Sequence, residues 1–158
     1  MTNEQKQIYT RRITESNPTG IIVILYEMFF DDTKEAKEAL NIQDHKTAGE
    51  AIRHAEQVLI HLKNALNFKY EVSLQLFPLY DFCQRALARA NYQGTVTGIE
   101  EAERIMEPLR NAFSEVAKQD TTAPVMQHTQ RMVAGMTYGR TDITETTAGY
   151  DSNRGFLA

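Results

Sequence analysis

Histidine and cysteine are the side chains best suited to bind a metal or act as nucleophiles, and this chain has four of the first and one of the second. His54 and His61 stand seven residues apart, with Glu50 and Gln57 on the same helical row. This row falls opposite the apolar stripe of its segment, so we expect it to face water rather than a metal ion. A di-iron bundle site also needs Glu-x-x-His on two helices, which the sequence lacks. No metal site and no cofactor are therefore predicted.

Catalytic signals are equally weak. Cys83 falls on the apolar stripe of its segment without a supporting histidine, which indicates a buried structural thiol. Residues 94–98 contain two glycines but lack the lysine and the preceding strand of a phosphate-binding loop. We predict no catalytic residue and no enzyme activity.

Composition narrows the class of protein. The 158 residues are enough for one core, and 17 Lys and Arg against 21 Asp and Glu give a formal net charge of −4. Such a chain has no surplus of positive charge to bind nucleic acid. No apolar run approaches the roughly 18 residues needed to insert into a membrane. The single cysteine and the polar N-terminus, which lacks a secretory h-region, predict a cytosolic protein.

Apolar residues recur at three- and four-residue steps and predict four helices. The first should run over about residues 18–41, with Asn17 as its cap and Pro18 at its first position. Its charged residues, Asp31 and Asp32 included, should lie on the solvent side. The short run 21–24 also resembles a buried strand, but no second strand exists to pair with it.

The other three helices are less sharply bounded in the sequence. One should begin near Asp44 or Thr47, one should end near Asn91, and the last should be capped by Thr97. The sequence thus predicts an all-α protein, an antiparallel up-down four-helix bundle over residues 17–120. Residues 1–16 are expected to form a mobile N-terminal arm that docks through Ile8, Tyr9 and Ile13.

Residues 121–158 are predicted to form a C-terminal extension, partly disordered. Within it, residues 125–136 hold three of the six methionines. This stretch is expected either to add a short fifth helix or to offer an adaptable surface to a partner.

Large aromatic side chains outnumber the positions on the helical stripes. Either these rings pack as a second layer or they line a groove, and an apolar groove on a helical protein suits amphipathic helices of another chain. The rings concerned are Tyr9, Tyr26, Phe30, Phe68, Phe77, Phe82 and Tyr92.

Several ordered segments resemble one known family. Residues 79–91, LYDFCQRALARAN, resemble the L-Y-D-[YF]-x-x-R-x-L-x-x-A-N segment of the flagellin export chaperones of the FliS family. Residues 13–18 and 22–27 are similar to the start of that family, and residues 51–59 and 109–113 to its second and fourth helices. Phe113 stands where the family usually has Trp. The resemblance covers about residues 8–118.

This resemblance implies a cytosolic four-helix bundle that binds the disordered C-terminal region of flagellin. It further implies that binding prevents premature polymerisation and assists delivery to the flagellar type III export gate. The N-terminal arm would cover the groove of the free protein through Ile8, Tyr9 and Ile13. We extend this idea to residues 125–136, which we expect to act as a second internal substitute for the guest.

The client-binding residues that we predict on this basis are Leu25, Tyr26, Leu79 and Tyr80, which either shape the groove or simply fill the core. Two alternative functions remain open. One is a generic helical adaptor for another amphipathic client, and the other is a bundle enzyme with a bound cofactor.

Overall fold

Five α-helices and no strand make up the described part of the chain, residues 3–126, in the computed structural model. The helices are α1 (Asn3–Glu15), α2 (Pro18–Asn41), α3 (His45–Asn64), α4 (Glu71–Gln93) and α5 (Thr97–Gln119). The predicted all-α class is confirmed. Most of the 125–136 stretch lies outside the described residues. Within residues 3–126, no helix is both long enough and apolar enough to cross a lipid bilayer.

Helix starts follow the predicted capping chemistry at two positions. The Oδ1 of Asn17 accepts a hydrogen bond from the backbone N–H of Gly20 at 2.7 Å, and Pro18 occupies the first turn of α2. Asp44 caps α3 by accepting from the backbone N–H three residues further on, at 3.0 Å. These side chains satisfy N–H groups that the helices leave unpaired, which fixes where α2 and α3 begin.

The α4–α5 turn differs from the prediction. Gly94 ends α4 with a φ of 66°, in the left-handed region that glycine adopts without steric cost. Thr97 was predicted to cap the last helix, and this is wrong: it is the first residue of α5, and no side chain caps that helix. Pro78 and Pro108 both lie inside helices, α4 and α5, each of which continues past its proline.

The four long helices form an antiparallel ring. α2 packs against α3 and α5, and α4 packs against the same two helices. Lys37, late in α2, pairs with Glu103 early in α5 at 2.6 Å, whereas Thr19, at the start of α2, meets Asp120 just after α5. α5 therefore runs antiparallel to α2, as an up-down bundle requires.

A continuous apolar core fills the ring, contributed by all four long helices. Its largest fully buried members are Tyr26, Tyr80, Phe29, Ile52, Leu59, Leu62, Leu87, Ile99 and Met106. Cys83 is buried among them, as predicted, and its Sγ lies 3.7 Å from the carbonyl oxygen of Ala102. Burial raises the pKa of the Cys83 thiol to about 12, so it stays protonated at neutral pH.

Gly98 allows the backbones of α5 and α4 to lie in direct contact. A Cβ at this position would stand 2.2 Å from the backbone oxygen of Ala86. Gly49 of α3 differs, because a Cβ there would meet only side-chain ends, those of Asn91 at 3.2 Å and Arg53 at 3.4 Å. The seam between α4 and α5 is thus held at a spacing that only glycine permits.

Asp32 departs from the solvent side predicted for α2, and its partner is His54, from the row of α3 predicted to face water. Asp32 is 1% exposed, and its Oδ2 lies 2.5 Å from Nδ1 of His54, which is itself half-buried. Its other oxygen, Oδ1, is buried without a hydrogen-bond partner among the described residues. The expectation that Asp32 faces water is wrong, because it turns towards α3, whereas the side chain of His54 remains partly exposed. The other members of the row, Glu50, Gln57 and His61, are exposed as predicted.

We expect Gly98→Ala to lower the free energy of unfolding by about 2–3 kcal/mol, because the added methyl group must push two helix backbones apart. Gly49→Ala is the matched control. It should change stability by no more than about 1 kcal/mol, since a mobile side chain yields and alanine favours the helix. Urea denaturation measures both variants, and equal effects would contradict the close seam.

Asp32 should make stability depend on pH. Burial raises the pKa of Asp32 to about 6, although the hydrogen bond from His54 opposes that rise. In the unfolded chain the same carboxyl has a pKa of about 4, so between these values the folded state holds the extra proton. This contribution is therefore complete below about pH 4 and is lost as pH rises through 6.

Asp32→Asn removes the titrating carboxyl. From pH 4 to pH 7 the wild type should therefore lose unfolding free energy relative to the variant. Denaturant titrations at both values measure it. A difference that is constant with pH would count against the raised pKa.

Candidate functional site

The first half of α4 carries apolar side chains on nearly every face. Val72, Leu74, Phe77, Leu79 and Phe82 are all exposed, between 36% and 60%. A helix that packs on one core needs only a single apolar stripe, and at 100° per residue these five positions spread well beyond one. Apolar surface of this kind, clustered on one segment, is typical of a binding site for another chain.

An apolar cleft opens beside this segment, where α2 and α4 begin and α3 and α5 end. Its volume is about 210 Å³. It is lined by Ile22, Leu62, Ala65, Leu66, Asn67, Tyr70, Val72, Ser73, Leu76, Tyr80 and Phe113, and we call it the end cleft. None of these lining residues is charged. The volume falls below the roughly 300–1,000 Å³ typical of small-molecule sites and suits individual side chains of a peptide.

Two buried tyrosines meet at the floor of the end cleft, one lining it and the other beneath. Tyr80 lines the cleft, and its hydroxyl oxygen lies 2.5 Å from that of Tyr26, with both side chains at most 1% exposed. Phe113 completes the cluster, its ring centroid 5.6 Å from that of Tyr26. Burial raises the pKa of both tyrosine hydroxyls, so they remain neutral donors and acceptors for each other.

The predicted client-binding residues take different positions. Tyr26 and Tyr80 come together under the end cleft, Leu25 is half-buried against the core, and Leu79 is 36% exposed on α4. Of these four, Tyr80 alone is among the lining residues. Their role in binding stays a prediction.

Sequence reasoning missed much of the end cleft lining. In the sequence, Ile22, Leu62, Leu66 and Phe113 fit helical stripes and Val72 belongs to no predicted stripe, so no pattern marks them as parts of one site. One available signal was the density of apolar residues from 66 to 82, which exceeds what one helix stripe accommodates.

The N-terminal arm is a helix, α1, that packs on α2. Tyr9 is its buried anchor, 8% exposed, and its hydroxyl donates to Oδ2 of Asp31 at 2.6 Å. Ile13 is half-buried, whereas Ile8 is 57% exposed. The described α1 thus covers α2, and none of its residues lines the end cleft.

A second polar contact fixes α1. Arg12 pairs with Glu27 of α2 at 2.5 Å, and its guanidinium carbon lies 5.6 Å from the centroid of the Tyr9 ring. Burial, together with the hydrogen bond to Asp31, raises the pKa of the Tyr9 hydroxyl. One ring and two polar pairs therefore hold most of this short helix in place.

Among residues 3–126, no group of three or more His, Cys, Asp or Glu side chains is arranged to hold a metal ion.

Comparison with known proteins gives one family. The family model described as flagellar protein FliS matches residues 1–120, about three quarters of the chain. No curated protein matches the chain.

The tyrosine pair is expected to be strongly coupled. Tyr80→Phe or Tyr26→Phe each leaves one buried hydroxyl without its partner and should cost about 1–3 kcal/mol of unfolding free energy. The double variant should cost about 1 kcal/mol less than the sum of the two single variants. Urea denaturation of all four proteins measures the cycle, and strict additivity would rule out a meaningful hydrogen bond.

Proposed function

Because the chain belongs to the FliS family of flagellar proteins, we propose that it is an export chaperone that binds the C-terminal region of flagellin. FliS is a chaperone family rather than an enzyme family. In this proposal the protein acts in the cytosol, keeps newly made flagellin from polymerising, and assists its delivery to the flagellar type III export gate.

The observation that carries the proposal is the uncharged end cleft beside an exposed apolar α4. Val72 lines the cleft, and Leu79 lies seven residues further along α4, on the same face and about 10 Å away. An amphipathic helix presents anchors at i, i+3, i+4 and i+7, which matches that spacing. A guest helix could therefore place one side chain in the cleft and another against Leu79.

The tyrosine pair gives this surface a fixed floor. Tyr26 and Tyr80 are buried too deeply to contact a guest directly over most of their area. We propose that they act by holding α2 and α4 at the separation that keeps the cleft open, while Leu25 supports the same region from the side of α2.

The flagellin segment must fold when it binds, and this lowers the binding free energy. Ordering a disordered segment costs a few kcal/mol of the gross interaction energy, which limits the affinity for a given contact area. Such moderate affinity suits a chaperone, because the flagellin segment must be released at the export gate.

Calorimetric titration with a peptide of the host flagellin C-terminal segment tests the proposal. We expect one-to-one binding with a negative heat-capacity change, and circular dichroism should show more helix in the mixture than in the separate components. Val72→Ser and Leu79→Ser should each weaken binding about tenfold, because each removes an apolar anchor.

Tyr92→Ser is the matched control, since Tyr92 is 92% exposed at the far end of α4. It should leave the affinity unchanged. No binding at tens of micromolar would contradict the flagellin assignment and favour an adaptor for another amphipathic client. Equal loss in all three variants would show that the end cleft is not the binding site.

A further inference from the structure

The residues that follow α5 return to the joint between α1 and α2. Thr19 donates from Oγ1 to Oδ2 of Asp120 at 2.5 Å, and the backbone N–H of Val125 donates to the carbonyl oxygen of Ser16 at 3.2 Å. Asp120 also shapes its own turn by accepting from the N–H and the hydroxyl of Thr122, at 2.9 and 2.7 Å. Residues 120–125 are therefore folded locally and attached to residues more than a hundred positions earlier.

Asn17 serves both sides of this attachment. Its Oδ1 caps α2 through Gly20, while its Nδ2 donates to the carbonyl oxygens of Asp120 and Thr122, at 3.2 and 3.4 Å. One side chain thus begins α2 and holds the segment after α5. The two functions use different atoms, so they can be separated by substitution.

Ser16 and Asn17 are the non-helical residues between α1 and α2. A movement of α1 away from α2 must rotate the backbone at these residues, because both helices are regular up to them. The bond from Val125 to Ser16 lies directly on that joint. A rotation there moves the Ser16 carbonyl, so the bond must break or residues 120–125 must move with it.

We propose that residues 120–125 form a clasp over the α1–α2 joint, so that release of α1 and release of this segment occur together. α1 is a 13-residue polar helix, too short to be stable alone, and it depends on Tyr9 and a few polar pairs. The clasp adds hydrogen bonds at its hinge end. A partner that displaces either element therefore loosens the other.

Backbone hydrogen exchange on the full-length chain without any peptide tests the clasp. Thr19→Val removes the hydroxyl that donates to Asp120. Asn17→Asp keeps an oxygen to cap α2 but loses the donor to Asp120 and Thr122. Both variants should exchange the amides of α1 about 3- to 10-fold faster, while those of α3 stay unchanged. Thr97→Val, exposed at the start of α5, is the control and should change neither.

The reverse direction must hold as well, because coupling between two sites is reciprocal. Tyr9→Phe removes the bond from α1 to Asp31 and should accelerate exchange of the Val125 amide by a similar factor. Tyr92→Phe is its control.

Two results would overturn the clasp. In one, Thr19→Val and Asn17→Asp accelerate exchange only after residue 119 and leave α1 unchanged. In the other, Tyr9→Phe leaves the Val125 amide as slow as in wild type. If Thr19→Val and Asn17→Asp also accelerate exchange of the α3 amides, the whole bundle has loosened. The Tyr9→Phe result then decides whether the clasp exists. Because no flagellin is used, failure here leaves the chaperone proposal untouched.

Discussion

The hydrogen bond between Tyr26 and Tyr80 is the constraint on which the site depends. It joins α2 to α4, which stand diagonally across the bundle rather than side by side. A buried hydroxyl without a partner is costly, so each ring must remain where the other can reach it. The apolar side chains around them tolerate many packings, whereas this polar contact tolerates few. In our proposal this contact sets the spacing of the helix ends that enclose the cleft.

In the rest of the molecule too, apolar packing holds the helices together and polar contacts fix their positions. The core holds the four long helices together, yet the attachment of α1 relies on Tyr9 with Asp31 and on Arg12 with Glu27. Apolar burial is non-directional and supplies most of the stability. Hydrogen bonds contribute less net energy but require a geometry, and they decide where the peripheral elements lie.

Local signals were enough to predict most of the fold. The cap at Asn17, the proline after it and the apolar stripes define the helices, because these depend on near neighbours in sequence. The burial of Asp32 and the end cleft could not be predicted in the same way. Both arise where residues distant in sequence meet, as Asp32 meets His54, and a single helical wheel contains no information about the neighbouring helix. The motif around Tyr80 lies beside the end cleft, but it does not show which of its side chains face outward.

The tight seam at Gly98 has a mechanical consequence for recognition. Because the α5 backbone packs directly against Ala86, α4 has little freedom to tilt or slide relative to α5 when another chain binds. If α4 binds another chain, as we propose, the bundle acts as a rigid surface, and the bound segment is the one that must change its conformation. Selectivity among bound sequences would then depend on how readily each one forms a helix whose apolar side chains match the fixed spacing of contacts along α4.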